Sequence, residues 1–169
     1  MAIKPQVCVI GLGKFGFQFG KALLDLGYKV IGIDSNQENI LVAQKVFSQV
    51  YEADSSQKQV LEQIGFSEIT HVLVSVGDSI STSAMTPMYL KELNVPKVWV
   101  KAINEDHAKL LRKIGADDVV IPEHMAAGHL ADRIDIPGII QRLPFDEEMI
   151  IREITLRHLA GRTLRESDL

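Results

Sequence analysis

The sequence predicts an α/β fold, a doubly wound parallel sheet with helices on both faces, and three observations predict it. Short apolar runs rich in Val and Ile recur along the chain with little in/out alternation, as in strands covered on both faces. Helical patterns fill the gaps, and the alternating βα order implies right-handed crossovers. A glycine-rich turn, Gly11-Leu12-Gly13-Lys14-Phe15-Gly16, follows the first run directly. Together these make the predicted sheet Rossmann-like.

The first strand reads at residues 7–10. Phe15, Phe19, Ala22, Leu23 and Leu26 then fall at i, i+4, i+7, i+8 and i+11, one face of a helix that Gly27 ends. Gly20 lies inside that helix at a cost of ~1 kcal/mol relative to Ala, so it reads as a close-packing position. A second strand at residues 30–33 and a helix at 37–46 follow, then a weaker strand at 49–52 and a helix at 57–64. Strands at 72–76, 98–100 and 119–121 alternate with helices at 79–93, 105–114 and 122–134. Pro122 suits the first turn of its helix, where a missing N–H costs nothing. Asp135-Ile136-Pro137-Gly138 breaks that helix. Residues 139–143 read as a short apolar turn, 149–156 as a strand, and the tail as helix-like in composition only. The domain plan is therefore a first domain over residues 1–135, a linker over 136–148, and at 149–169 the start of something the chain does not finish.

Composition narrows the function. The chain has 169 residues, 46% of them hydrophobic and 24% charged, enough for one full-size domain with a sizeable core and too apolar for disorder. No apolar run approaches the ~20 residues of a membrane helix, and the N-terminal run is too short for a signal peptide. The net charge of −4, without a block of like charges, argues against nucleic acid as a partner. Cys8 is the one cysteine, which leaves no internal disulfide or thiolate metal cluster. The chain reads as cytosolic.

The glycine turn carries the chemistry. Gly11 allows a tight turn, Gly13 lets backbone approach a diphosphate, and Gly16 lets the helix lie close to the sheet. The helix N-terminus offers N–H groups and a positive dipole end to phosphates. Asp34, at the end of the second strand, can accept both hydroxyls of a ribose and would repel a 2′-phosphate. These features point to an adenine nucleotide or a dinucleotide, NAD ahead of NADP. Lys14 either meets a terminal phosphate or points into solvent. Asp54 either accepts from an adenine amino group or caps the following helix, and the two roles are compatible. Val76-Gly77-Asp78 lies on the same rim; Gly77 marks close backbone approach to a sugar, and Asp78 can cap the next helix. His107 lies in a first helical turn beside the rim, as a rim residue or a solvated histidine. His124 and His129, five apart, fall on different helical faces and make a poor zinc pair. No H-E-x-x-H, G-x-S-x-G or G-x-x-x-x-G-K-[ST] motif is present. A nucleotide pocket without a catalytic constellation suits a sensor better than an enzyme. The alternatives are a fragment of an NAD-dependent oxidoreductase and a redox-sensing transcription regulator, which would need a winged-helix segment.

These motifs resemble a known family. VIGLGKFG, VIGID with Asp34, Ala53-Asp54, Val74-Ser75-Val76-Gly77, the stretch Leu90-Lys91-Glu92-Leu93 running into Val98-Trp99-Val100-Lys101-Ala102, then Lys113-Ile114-Gly115-Ala116-Asp117 and Ile121-Pro122-Glu123 are similar to the N-terminal nucleotide-binding domain of the regulator-of-potassium-conductance (RCK, TrkA-N) family. The family includes the cytosolic gating subunits of bacterial Trk and Ktr potassium uptake systems. The resemblance covers roughly residues 6–134. Residues 149–156 and 159–164 resemble the opening of the family's C-terminal ligand-binding domain, so the chain reads as truncated.

The resemblance implies ATP, ADP, NAD⁺ or NADH as ligand. It places Gly11, Gly13 and Gly16 at the phosphates, with Phe15 in the same loop, and Lys14 where many relatives carry an arginine that reaches the terminal phosphate. Asp34, Ser35 and Asn36 face the ribose; Asp54 and Ser55 face the adenine. Val76, Gly77 and Asp78 line the rim from the fourth strand, and Lys101, Ala102 and Ile103 from the fifth, with His107 nearby. Glu123 matches an acid that lies near the phosphates at a dimer interface and helps hold a divalent cation. The implied assembly is a homodimer that builds an octameric ring. The implied partner is a membrane potassium-translocating subunit, which makes the protein cytoplasmic and peripheral to the membrane.

Overall fold

The computed structural model of the chain describes residues 5–76, 79–135, 139–144 and 150–154. Two compact units divide it, Met1–Ile121 and Pro122–Leu169. The first unit alternates strand and helix throughout: β1 (Gln6–Ile10), α1 (Lys14–Asp25), β2 (Lys29–Asp34), α2 (Gln37–Ala43), β3 (Gln49–Glu52), α3 (Lys58–Ile64), β4 (Ile69–Val74), α4 (Ile80–Glu92), β5 (Lys97–Lys101), α5 (Glu105–Ile114) and β6 (Asp118–Val120). The strands form one six-stranded sheet in the order β3-β2-β1-β4-β5-β6, with every pairing parallel. This is the doubly wound fold that the sequence predicts.

Strand position explains strand composition. In central β1, Val7, Cys8, Val9 and Ile10 are all buried, so alternate side chains enter two separate cores. Cys8 and Ile10 join Leu61, Val72, Leu90, Val98 and Leu111 in one core. Val9 joins Val30, Ile40, Phe47 and Leu73 in the other, with Phe17, Phe19 and Leu23 of α1 packed against it. Edge strand β3 is mostly exposed, which is why its sequence carries only a weak strand signal. Strand β4 ends at Val74, two residues before the predicted end, and this leaves Ser75 and Val76 as loop.

Helix ends follow local chemistry. Helix α1 stops in a Schellman motif: Tyr28 N–H donates to Leu23 C=O at 3.0 Å and Gly27 N–H to Leu24 C=O at 2.8 Å, with Gly27 at φ +81°. A Cβ on Gly20 would stand 2.6 Å from the Phe47 ring, so the mid-helix glycine does serve close packing. Asn36, Ser79 and Asn104 cap α2, α4 and α5 through their side chains.

The second unit holds α6 (Pro122–Asp135) and an antiparallel pair of strands, β7 (Ile139–Pro144) and β8 (Ile150–Ile154). Residues 139–143 are thus strand and not the expected turn. Their hydrogen-bond partner lies later in the chain, where local composition gives no hint of the pairing. The strand expected at 149–156 is present as β8 over the described residues; the tail beyond residue 154 lies outside them.

Candidate functional site

Register places the site. Ile10 pairs with Ile33 on one side and Val74 on the other, so three strands end level. The next residues, Gly11, Asp34 and Ser75, therefore stand side by side. They lie where the strand order reverses, between β1 and β4, the crevice where α/β sheets take ligands. A cleft of about 710 Å³ opens there. The loop is tied to both neighbours: Gly11 N–H donates to Ile33 C=O at 2.8 Å, and Ser75 N–H to Ile10 C=O at 2.7 Å.

The three glycines have three different reasons. Gly11 sits at φ +89°, and a Cβ there would stand 2.3 Å from Ser75 C=O. A Cβ on Gly16 would stand 1.9 Å from the Gly11 carbonyl oxygen, so this glycine seats α1 under its own loop and does not line the cleft. Gly13 needs neither: its φ is −64°, and among the described residues a Cβ there meets nothing within 4 Å. It lines the cleft, and what its missing side chain leaves open is the cleft itself. Gly13 is also the α1 N-cap without a side-chain cap, and no acid occupies the first turn. The first-turn N–H groups of α1 thus have no capping side chain. By contrast, α2 and α5 have asparagine caps and first-turn acids.

Asp34 is already engaged. Its Oδ2 accepts from Leu12 N–H at 2.6 Å and from Asn39 Nδ2 at 3.0 Å, and its Oδ1 accepts from Asn36 N–H at 2.7 Å. The carboxylate thereby clamps the glycine loop to the start of α2. Asp54 likewise accepts from Ser56 N–H (2.9 Å), Ser56 Oγ (2.7 Å) and Gln57 Nε2 (3.0 Å). Those bonds, the Ser56 hydroxyl foremost, hold its carboxyl below the usual carboxylate range. Asp54 therefore shapes the turn before α3, whose N-cap is Gln57 and not Asp54. Ser55 is buried, and its hydroxyl and carbonyl both accept from Thr86 Oγ1 of α4.

The cleft gathers Gly11, Gly13, Lys14, Phe15, Asp34, Ser35, Asp54, Ser55, Val76 and Lys101 from the expected set. Asn36, Ala102 and Ile103 do not line it. Asn36 caps α2 by accepting from Glu38 N–H at 2.8 Å. Ala102 is fully buried in the core, its N–H donated to Val120 C=O. Ile103 is exposed and does not line the cleft. Glu123 belongs to the second unit, in the first turn of α6. Gly77 and Asp78 lie outside the described residues.

His107 is neither a rim residue nor a solvated one. It is 5% exposed and joins α4 to α5. Nδ1 accepts from Ile103 N–H at 3.3 Å, so the proton of the neutral ring lies on Nε2, which donates to Ser83 Oγ at 2.9 Å. Ser83 Oγ in turn donates to Ile80 C=O. Burial pushes the imidazole pKa below its ordinary value.

Asn39, Ser75, Ser79 and Thr82 line the cleft without having been expected there. Ser79 opens the helix expected at 79–93, with Asp78 as a candidate cap; in the structure Ser79 is the N-cap of α4. Asn39 had no signal beyond standing five residues after Asp34. Among the described residues, no group of three His, Cys, Asp or Glu side chains is close enough to hold a metal ion, and no helix is long and apolar enough to cross a membrane.

Comparison with known proteins agrees with this architecture. The chain is 37% identical over 168 residues to Ktr system potassium uptake protein C of Bacillus subtilis (strain 168), spanning 99% of this chain and 76% of that protein. Among solved structures, the NAD(P)-binding domain of an exopolyphosphatase-related protein from Archaeoglobus fulgidus superposes with a TM-score of 0.68 at 20% identity, over 78% of this chain and 98% of that one. The GsuK channel bound to NAD gives 0.67 at 16%, over 77% of this chain and 24% of that one. The family model of the TrkA-N domain matches residues 7–122. On that match, over most of the sheet and its cleft, the chain belongs to the TrkA-N domain family.

Proposed function

We propose that this chain is the nucleotide-sensing part of a regulatory subunit in a potassium uptake system. In this reading it binds ATP, ADP or NAD(H) in the β1–β4 cleft. It assembles as a homodimer within an octameric ring and gates a potassium-translocating membrane partner from the cytoplasmic side. The observation that carries the reading is Gly13. Its lack of a side chain relieves no clash with any described residue and leaves an open cleft above the uncapped start of α1. That is the geometry a diphosphate needs. Asp34 on one wall suits a ribose, and Asp54 with Ser55 suits an adenine. The similarity to a Ktr potassium uptake protein supports the regulatory role, and the fold shared with the NAD-bound GsuK channel supports a nucleotide ligand.

The role is regulatory and not catalytic in this reading. Among the described residues, the two carboxylates that line the cleft already accept three hydrogen bonds each, which suits them to hold a ligand and not to move its protons. Gating then requires that two ligands bind two states of the assembly with different affinity. ATP and ADP differ only in the terminal phosphate. Lys14 opens α1 on the cleft and carries a compact charge with no planar fork. Glu123 would face the phosphates only through a divalent cation, which prefers carboxylate and phosphate oxygens.

Calorimetric titration with ATP, ADP, NAD⁺ and NADH, set beside nucleotide-dependent potassium uptake by cells carrying the protein and its membrane partner, tests the proposal. Binding of at least one nucleotide tighter than about 1 mM, or about −4.1 kcal/mol, together with uptake that changes in its presence, is the expected result. Absence of binding by all four overturns it.

A further inference from the structure

The Asp34 carboxylate is nearly full before any ligand arrives. A carboxylate offers about four acceptor sites, two on each oxygen. Leu12 N–H and Asn39 Nδ2 take both sites of Oδ2, and Asn36 N–H takes one of Oδ1. One site remains. A ribose presents two adjacent hydroxyls, so Asp34 cannot take both hydrogens without giving up a bond that holds the glycine loop or α2.

Asn39 resolves the conflict. It lies in α2, half-buried, and lines the same cleft as Asp34. Its amide orientation follows from chemistry: the ionised carboxylate can only accept, so the atom 3.0 Å from Oδ2 must be the amide nitrogen. One Nδ2 hydrogen is committed to Asp34, and Oδ1 is the acceptor that Asn39 can offer to a hydroxyl hydrogen. We propose that Asn39 is the second ribose-binding residue. Asp34 Oδ1 accepts one hydroxyl, Asn39 Oδ1 accepts the other, and the bond between the two side chains keeps them together on the cleft. The ligand class is then a ribonucleotide with both hydroxyls free. Deoxyribonucleotides lose one acceptor contact. A 2′-phosphate loses a donor hydrogen and gains repulsion from Asp34.

The proposal rests on the nucleotide reading of the cleft, and the experiment separates the two. ADP, 2′-deoxy-ADP and 3′-deoxy-ADP are titrated against the parent, Asn39→Leu and Asn39→Ala, each checked by thermal unfolding. The parent should bind ADP about tenfold more tightly than either deoxy form. In both variants the penalty for one deoxy form should fall to within twofold, and the penalty for the other should persist through Asp34. If the two penalties vanish together, Asn39 only orients Asp34 and the proposal is wrong. It is equally wrong if both penalties survive in both variants, or if the parent binds all three ligands alike. A parent that binds no ADP overturns the nucleotide reading itself. Asn39→Ala keeps the test decisive should the larger leucine disturb folding, because alanine suits a helix.

Discussion

Replacing Gly13 by alanine separates binding from folding. Gly13 has φ −64°, ordinary for any L-residue, and a Cβ there meets no atom of the described residues within 4 Å. The substitution therefore brings no backbone strain and no internal clash. Alanine is a poorer N-cap than glycine by ~0.5–1 kcal/mol, while the stiffer unfolded chain returns ~0.4–1 kcal/mol. The two nearly cancel, so the melting midpoint should move by less than about 3 °C for a chain of this size. Binding should respond quite differently. A methyl group placed where a diphosphate rests on backbone N–H groups overpacks the contact at a cost of ~1–3 kcal/mol, roughly 5- to 150-fold in affinity. Gly16→Ala is the counterpart. Its Cβ would stand 1.9 Å from the Gly11 carbonyl oxygen, and only movement of the backbone relieves that, so folding stability should drop by about 3 kcal/mol or more. Thermal unfolding without ligand and calorimetric titration with ADP and NAD measure both quantities. A Gly13→Ala protein that binds ADP like the parent refutes the cradle. One that melts as low as Gly16→Ala refutes the claim that this glycine serves the ligand and not the fold.

Further predictions concern charged and titrating groups. Asp34→Asn must turn an amide nitrogen toward at least one of the three donors that the carboxylate satisfies. It should therefore lose ~1–3 kcal/mol of ADP affinity and also some stability, read by calorimetry and urea unfolding; unchanged values in both would remove Asp34 from the site. His107 has its folded-state pKa depressed by burial. The unfolded chain then binds the extra proton first as pH falls below about 6.5. The stability His107 contributes is present above that pH and is lost toward its folded pKa, so unfolding midpoints should fall between pH 7 and 5. His107→Gln should flatten that slope, and an equal slope in both proteins would contradict the assignment. Lys14→Ala should cost ATP more affinity than ADP in the same titration. With magnesium or calcium present, ATP affinity should rise far more than NAD affinity, and Glu123→Gln should abolish the rise; equal ion dependence in parent and variant would leave Glu123 as a first-turn acid favoured by the helix dipole.

Much of this protein was legible in its sequence because the information is local. Uninterrupted Val and Ile runs mark strands buried on both faces, and β1 is buried on both faces. Helix spans are local in the same way: the helix read at 105–114 is α5, Glu105–Ile114. The glycine turn and Asp34 are each set by a strand end, so their meeting follows once the strands are parallel neighbours. Other features exist only through contacts distant in sequence. The turn expected at 139–143 is a strand because β8 pairs with it. His107 is buried where α4 packs on α5, and Ser83, 24 residues earlier, accepts a hydrogen bond from its Nε2. Ser75 became a wall of the cleft only when β4 crossed over to lie beside β1, and it adds a clash to the positive φ that already asks for glycine at Gly11. The three glycines look alike in sequence, yet one relieves a clash with β4, one seats a helix and one faces open space. Spacing along the chain shows where a backbone turns; what a missing side chain makes room for is decided by the atoms that tertiary packing brings opposite it.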